Sequence, residues 1–383
     1  MRGQCASGPV QARTSGGWYP ARLDAMMRTM DARPPFPVDV LEAARAGIAD
    51  RVHRTPVLGS ATLSRLVGVP VHLKCENLQK TGSFKPRGTL HRMGRLDAGE
   101  RARGVVTISA GNHAQAVAWA AAAAGIRSLV VMPERASRTK VRASEEYGAE
   151  VVLHGDPSAA FRKAFELGEE RGLVFVHPFD DEDVVVGHAS CGLEILEDVP
   201  DAATIVVPVG GGGLASGIAA AAAAVRPDVA VWGVEPEGAA AMHESLARGE
   251  PVHLDGVATV ADGLAAPMAG RLNYEILRDH ARGVVVVSDA DILRAMRLVL
   301  ERTKLLVEPA GAAAVAALLA GVVPLDGRPV VAILSGGNVD LARLAELLVE
   351  APETGAGVRA ARPSAKDPAP APGAEPPEPR PRR

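Results

Sequence analysis

Cysteine is scarce: the chain of 383 residues has three, Cys5, Cys75 and Cys191. They stand far apart with no CxxC spacing, so neither a disulfide framework nor a zinc site is indicated. Long apolar runs are missing too. The longest, such as 214–225, are short and rich in Ala and Gly. A membrane span needs about 20 apolar residues, so these runs read as buried helices. Arg2, Arg13 and Arg22 dot the N-terminus without an apolar stretch beside them. No secretory signal is therefore expected, and a reducing cytoplasm fits best. A formal net charge of −3 gives no reason to expect nucleic acid or an anionic membrane as a partner.

What is present is an ordinary globular composition, 47% hydrophobic and 23% charged. The length calls for two domains or one large α/β unit. Both ends lack sustained periodicity. Residues 1–36 end in Pro34-Pro35-Phe36-Pro37, and 351–383 are rich in Pro, Ala, Arg and Glu. Both are expected to be flexible, because such composition buries too little surface to offset its ordering entropy. Between them apolar runs suited to strands recur at 71–76, 104–110, 128–133, 150–154, 173–178, 204–209, 229–234, 284–288 and 330–334. Helical stretches fall between most of them, at 112–124, 137–147, 157–171, 183–198, 214–225 and 289–304. This alternation predicts an α/β fold whose parallel-rich sheets are flanked by helices. Such sheets bind ligands at the carboxyl ends of their strands, so the loops there are the places to look.

Four loops stand out. The first is Lys80-Thr81-Gly82-Ser83-Phe84-Lys85-Pro86-Arg87-Gly88, after the strand 71–76. Ser83 suits a helix cap and Pro86 a first turn, which would put Lys85 at a helix N-terminus. The positive potential there lowers an amine pKa and would help a Schiff-base lysine. Taken alone, Lys85 reads far more readily as a surface lysine. The second loop is Ser109-Ala110-Gly111-Asn112-His113, which suits a carboxylate but also an ordinary turn capped by Asn112. The third, Gly210-Gly211-Gly212-Gly213, joins a strand to an Ala-rich helix and offers N–H groups to a phosphate. It matches neither a nucleoside triphosphate loop nor a good dinucleotide fingerprint. The fourth, Ser335-Gly336-Gly337-Asn338, is by itself a turn.

Together, in this order, the four loops make residues 56–348 resemble the fold type II pyridoxal-phosphate (PLP) enzymes, in particular the threonine/serine dehydratase and serine racemase family. The resemblance implies a two-domain chain with the cofactor between the domains. Residues 37–84 and 181–350 would form the larger domain and 85–180 the smaller. It implies that Lys85 holds the cofactor and, once freed, removes the substrate α-proton. Phe84 would pack beside the pyridine ring, and Asn112 would bond the phenolic oxygen. Gly210, Gly211, Gly212 and Gly213 would hold the phosphate. Ser335 would face the ring nitrogen with Glu308 nearby. Ser109, Gly111 and His113 would help hold the substrate carboxylate. The implied reaction is β-elimination and deamination of L-threonine or L-serine to a 2-oxo acid and ammonia. A homodimer is also implied.

Several positions depart from that pattern. Racemases of this family commonly carry serine at the position of Ala110, so racemisation is disfavoured here. Phe179 fits a dehydratase. His188 and Ala189 stand where the family usually has Gln and Gly, which leaves open another β-hydroxy substrate, such as 3-hydroxyaspartate or a hydroxyectoine-derived amino acid. Packing drift accounts for them equally well. Part of the family binds a divalent cation. Glu235 matches its first carboxylate, but Ala241 replaces the second, so no tight metal site is expected. No regulatory domain is expected beyond 350. A silent PLP-binding or interaction protein using the Pro-rich tail is the remaining alternative. The presence of Lys85, Asn112 and Ser335 disfavours it.

Overall fold

The computed structural model describes residues 33–351. Its strands are β1 (Val57–Gly59), β2 (Val71–Lys74), β3 (Val105–Ile108), β4 (Ser128–Met132), β5 (Glu150–Leu153), β6 (Val174–Phe175), β7 (Thr204–Pro208), β8 (Ala230–Pro236), β9 (Gly283–Val287) and β10 (Val330–Ile333). Six form one sheet in the order β1-β2-β10-β7-β8-β9; the other four form a second sheet in the order β5-β4-β3-β6. Every pairing is parallel except that of β1 with β2. All nine strands expected from the sequence are present, with ends shifted by one to three residues. β6 stops after two residues, where Pro178 brings no N–H and the His177 ring accepts the N–H groups of Phe179 and Asp180 in a turn. β1 was not expected. Three residues are too few to show alternation.

Side-chain alternation divides the strands of the larger sheet between two cores. Ile205 and Val207 pack on one face with the helices Glu182–Asp198 and Gly213–Val225. Val206 packs on the other face with the helices Asp289–Thr303 and Pro309–Leu319. Val331 and Ile333 of β10 likewise face the first core, and Val330 and Ala332 the second. The Ala- and Gly-rich runs are indeed buried helices, and their small side chains let backbones approach. A Cβ on Gly217 would come within 2.7 Å of the Val185 carbonyl oxygen, and one on Gly192 within 2.8 Å of the Ala221 methyl. A larger residue at either position would force these helices apart, an overpacking cost of about 1–3 kcal/mol.

The expected N-terminal extension 1–36 and tail 351–383 lie outside the described residues except at their inner edges. There Phe36 and Ala351 are buried in the two cores, so these two residues belong to the folded body. Among the described residues no helix is long and apolar enough to cross a membrane.

Candidate active site

The four loops leave the carboxyl ends of β2, β3, β7 and β10 and meet around one cavity of about 570 Å³. After β2 the chain makes two short 3-10 turns, and Ser83 bridges to Gly336 through its backbone. The helix Lys85–Arg95 starts at once, with Pro86 in its first turn. Its cap is Phe84 and not the expected Ser83, whose hydroxyl is buried without a partner. The backbone bridge is the reason: Ser83 is committed to extended geometry against Gly336, one residue too early to cap. The Lys85 amine donates to the Pro178 carbonyl at 2.7 Å and lies 5.0 Å from the Phe84 ring centroid. Burial lowers its pKa to about 8, since a cation is disfavoured there.

Behind β3, the Ser109 hydroxyl accepts the Gly111 N–H at 3.0 Å. Gly111, not Asn112, is the cap residue of the helix Asn112–Ala123. Asn112 reaches across the cavity instead. Its amide donates to Glu308 at 2.6 Å and its oxygen accepts from Asn338 at 2.9 Å. The second amide hydrogen of Asn112 remains for a ligand. His113 is buried, with its pKa pushed well down by burial and then by the Lys85 charge. It is a neutral ring and cannot ion-pair with a carboxylate. The free N–H groups in the first turn of this helix are the better anion donors.

After β7, Gly210, Gly211, Gly212 and Gly213 line the cavity and lead into the helix Gly213–Val225. Among the described residues none of their N–H groups donates to another backbone group outside regular elements. Glycine is required here. A Cβ on Gly211 would lie 2.2 Å from the Phe179 ring, and Gly212 has φ +103°. After β10, Ser335 lines the cavity with only a 3.5 Å contact to the Ala310 carbonyl oxygen. Glu308 accepts from Asn112, and burial, followed by the nearby Asp262 charge, raises its pKa to about 7.

The structure thus brings together Phe84, Lys85, Ser109, Gly111, Asn112, His113, the four glycines, Glu308 and Ser335 around one cavity. Glu235 lies apart, at the end of β8. Its two oxygens accept the Met242 and His243 N–H groups at 2.9 and 2.7 Å, and burial raises its pKa to about 8. Among the described residues no cluster of His, Cys, Asp or Glu could hold a metal. His188 does not line the cavity. It is buried with its ring edge-on to Phe84, centroids 4.8 Å apart, close to the Gly213 backbone, and neither nitrogen has a well-formed hydrogen bond among the described residues.

Sequence reasoning missed a buried charge network beneath Lys85. Arg87 donates to Glu76 and Glu194, while Lys74 donates to Glu194 at 2.6 Å. All four side chains are buried. The signal was available: Lys74 ends β2 and Glu76 follows it, among Val71, Leu73 and Cys75 that read as core, and charges there must be paired. Lys140 and Asp262, paired at the cavity edge, gave no such signal.

The comparisons agree with this geometry. Residues 48–336 match the family described as pyridoxal-phosphate dependent enzyme. An L-threonine ammonia-lyase of Geobacter sulfurreducens is 46% identical over 308 residues, covering 80% of this chain and 76% of that protein. The catabolic L-threonine dehydratase TdcB of Escherichia coli K12 is 40% identical, covering 82% and 96%. The structure of maize serine racemase superposes with a TM-score of 0.78 at 38% identity, over 82% of this chain and 97% of that one. The chain belongs to the fold type II pyridoxal-phosphate dependent enzymes, in the branch of threonine dehydratases and serine racemases.

Proposed function

We propose that this chain eliminates the β-hydroxyl of L-threonine or L-serine and deaminates the product, giving a 2-oxo acid and ammonia. The observation that carries the reading is the Lys85 amine: desolvated, unpaired with any carboxylate, and in one cavity with an unsatisfied glycine loop. The residues present fit the cofactor. The glycine loop excludes a Cβ at Gly211 and Gly212, and its N–H groups would serve a phosphate. Ser335 would hold the ring nitrogen with a neutral hydroxyl, and Asn112 the phenolic oxygen. When bound, pyridoxal phosphate supplies an electron sink for charge developing at the substrate Cα.

The other roles belong to the chain itself. An amine with a pKa of about 8 is partly neutral near physiological pH, so Lys85 can take the Cα proton. The N–H groups opening the helix Asn112–Ala123, with Ser109, would hold the substrate carboxylate and fix which Cα bond faces the lysine. Ala110 lines the cavity without a proton to give. This supports elimination over racemisation. Residues 85–180 would be the smaller, closing domain, and the four-stranded sheet drawn from 105–175 supports that division. A homodimer in the cytoplasm completes the reading. One observation favours a second substrate: Arg162 lines the cavity and would suit the extra carboxylate of 3-hydroxyaspartate.

The test is the visible absorbance of the purified chain, then addition of L-threonine, L-serine and 3-hydroxyaspartate with 2-oxo acid detection and chiral analysis of the amino acid. A band lost in Lys85→Ala, with oxo acid from threonine or serine, is the expected result. Oxo acid from 3-hydroxyaspartate alone would shift the substrate. A D-amino acid without oxo acid would favour the racemase. A colourless chain that takes up no added cofactor would sink the reading.

A further inference from the structure

Asn273 is the third residue of the helix Arg271–His280, and it is fully buried. Its amide nitrogen donates to the carbonyl oxygens of Phe179 and Gly211, both at 2.9 Å. Both neighbours are acceptors, so the nitrogen and not the oxygen must face them. The oxygen is left without a hydrogen-bond partner among the described residues. A buried orphan acceptor is a cost, and an apolar residue would have avoided it.

The two carbonyls belong to the two sides of the cofactor cavity. Gly211 is in the glycine loop, and its carbonyl also accepts the Gly270 N–H at 3.1 Å. Phe179 follows Pro178, whose carbonyl accepts the Lys85 amine. Asp180 completes the link by accepting the Arg271 and Leu272 N–H groups, both at 3.0 Å. The chain segment that receives the lysine is therefore pinned to the start of the Asn273 helix, and that helix is pinned to the glycine loop.

The peptide between Gly211 and Gly212 is trans, so its carbonyl and the Gly212 N–H point in opposite directions. With the carbonyl held by Asn273 and Gly270, the Gly212 N–H is turned away from them, and Gly212 lines the cavity. Gly212 also packs closely on Asn273: a Cβ there would lie 2.7 Å from the Asn273 Cβ. We propose that Asn273 is a positioning residue. It fixes the peptide orientation of the phosphate loop and its separation from Lys85, so that both ends of pyridoxal phosphate are met together. The inference rests on the cofactor reading above.

Pyridoxal, which lacks the phosphate, separates this role from general packing. Wild type, Asn273→Ala and Asn273→Asp would be stripped of cofactor and titrated with pyridoxal phosphate and with pyridoxal, with absorbance as the readout. Asn273→Asp keeps the shape, leaves at most the one O–H donor of the un-ionised acid in place of two, and serves if the alanine variant does not fold. The expected result is a loss of about 10-fold or more in affinity for pyridoxal phosphate, as one or two buried hydrogen bonds imply, with pyridoxal binding within about twofold of wild type. Unchanged affinity for pyridoxal phosphate, or an equal loss for both compounds, would overturn the proposal. A wild-type chain that binds neither would remove the cofactor reading and this inference together, a result distinct from the others.

Discussion

Replacing Arg87 by methionine should destabilise the protein in a way that depends on pH. The guanidinium donates to both oxygens of Glu76 at 2.8 Å and to both of Glu194 at 2.7 and 2.8 Å. Without it, Glu194 keeps Lys74, but Glu76 keeps only the Thr55 hydroxyl. Glu76 is fully buried, and Arg87 holds its carboxyl below the ordinary value of 4.5 against the opposing effect of burial. Removing one partner of a buried ion pair costs about 3–5 kcal/mol. A second route gives the same scale. If Glu76 escapes by taking a proton, doing so at pH 7 from an ordinary pKa of 4.5 costs about 3.4 kcal/mol, at 1.36 kcal/mol per unit. In the wild type the pairing stabilises above pH 4.5 and is lost as pH falls through the lowered folded pKa. In the variant the carboxyl is protonated and that contribution is gone. The gap between the two proteins should therefore widen by about 1.4 kcal/mol per pH unit between roughly pH 5 and 7. Thermal unfolding checks it, with a drop of about 5 °C at pH 7 and a much smaller one at pH 5. A gap of equal size at both pH values would refute the reasoning, since lost packing alone does not titrate. A paired Arg87→Met, Glu76→Met variant should recover part of the loss.

Three further outcomes are expected. Gly211→Ala drives a Cβ into the Phe179 ring, so cofactor affinity should fall while unfolding shifts by only about 1–3 kcal/mol; full cofactor retention measured by absorbance would contradict the packing. In cofactor-free protein the rate of pyridoxal phosphate uptake should rise with pH to a midpoint near 8, because Lys85 titrates there and not at the ordinary 10.5. Its unfolded state binds the extra proton between those values, so stability should rise with pH from about 8 to 10.5, and Lys85→Met should abolish that slope. Mg²⁺ or Ca²⁺ added after chelator treatment should leave the melting temperature unchanged, because both Glu235 oxygens already accept backbone N–H groups; a rise of several degrees would show otherwise.

What could be read in the sequence was what local chemistry constrains. Gly210, Gly211, Gly212 and Gly213 stand out as a run, and at its centre a side chain on Gly211 would collide with Phe179 and one on Gly212 with Asn273. Lys85 stands out because Pro86 marks a helix start beside it. The buried strands were legible because both faces are covered, which makes them apolar throughout. What escaped was long-range. Asn273 and Gly211 are far apart in the chain, and an asparagine near a helix start is ordinarily read as a cap. Ser83 and Asn112 show the same error from the other side. Both have cap chemistry, yet one is held extended by Gly336 and the other is drawn across the cavity to Glu308. Local propensity was overruled by partners that sequence spacing does not reveal.

His188 is the instructive departure. Its replacement of the usual glutamine left open another substrate or mere packing. The ring does not itself line the cavity, but it packs against Phe84, which does. It fills the space behind Phe84, and it fits only because residue 88 is glycine, where a Cβ would come within 2.6 Å of its Nε2. Burial, then the Lys85 charge, holds its pKa well down, so it is neutral and cannot add a charge beside a phosphate. It stands behind the wall, against the Phe84 ring and near the Gly213 backbone, where it supports the residues that line the cavity. Lys140, Phe161, Arg162, His253 and Met268 also line the cavity, and under the proposed reading they would discriminate among hydroxy-amino acids. None of these lies in the four loops by which the family is recognised. The features that identify the cofactor chemistry and those that select the substrate are therefore carried by separate parts of the chain, and the second set can change while the first stays fixed.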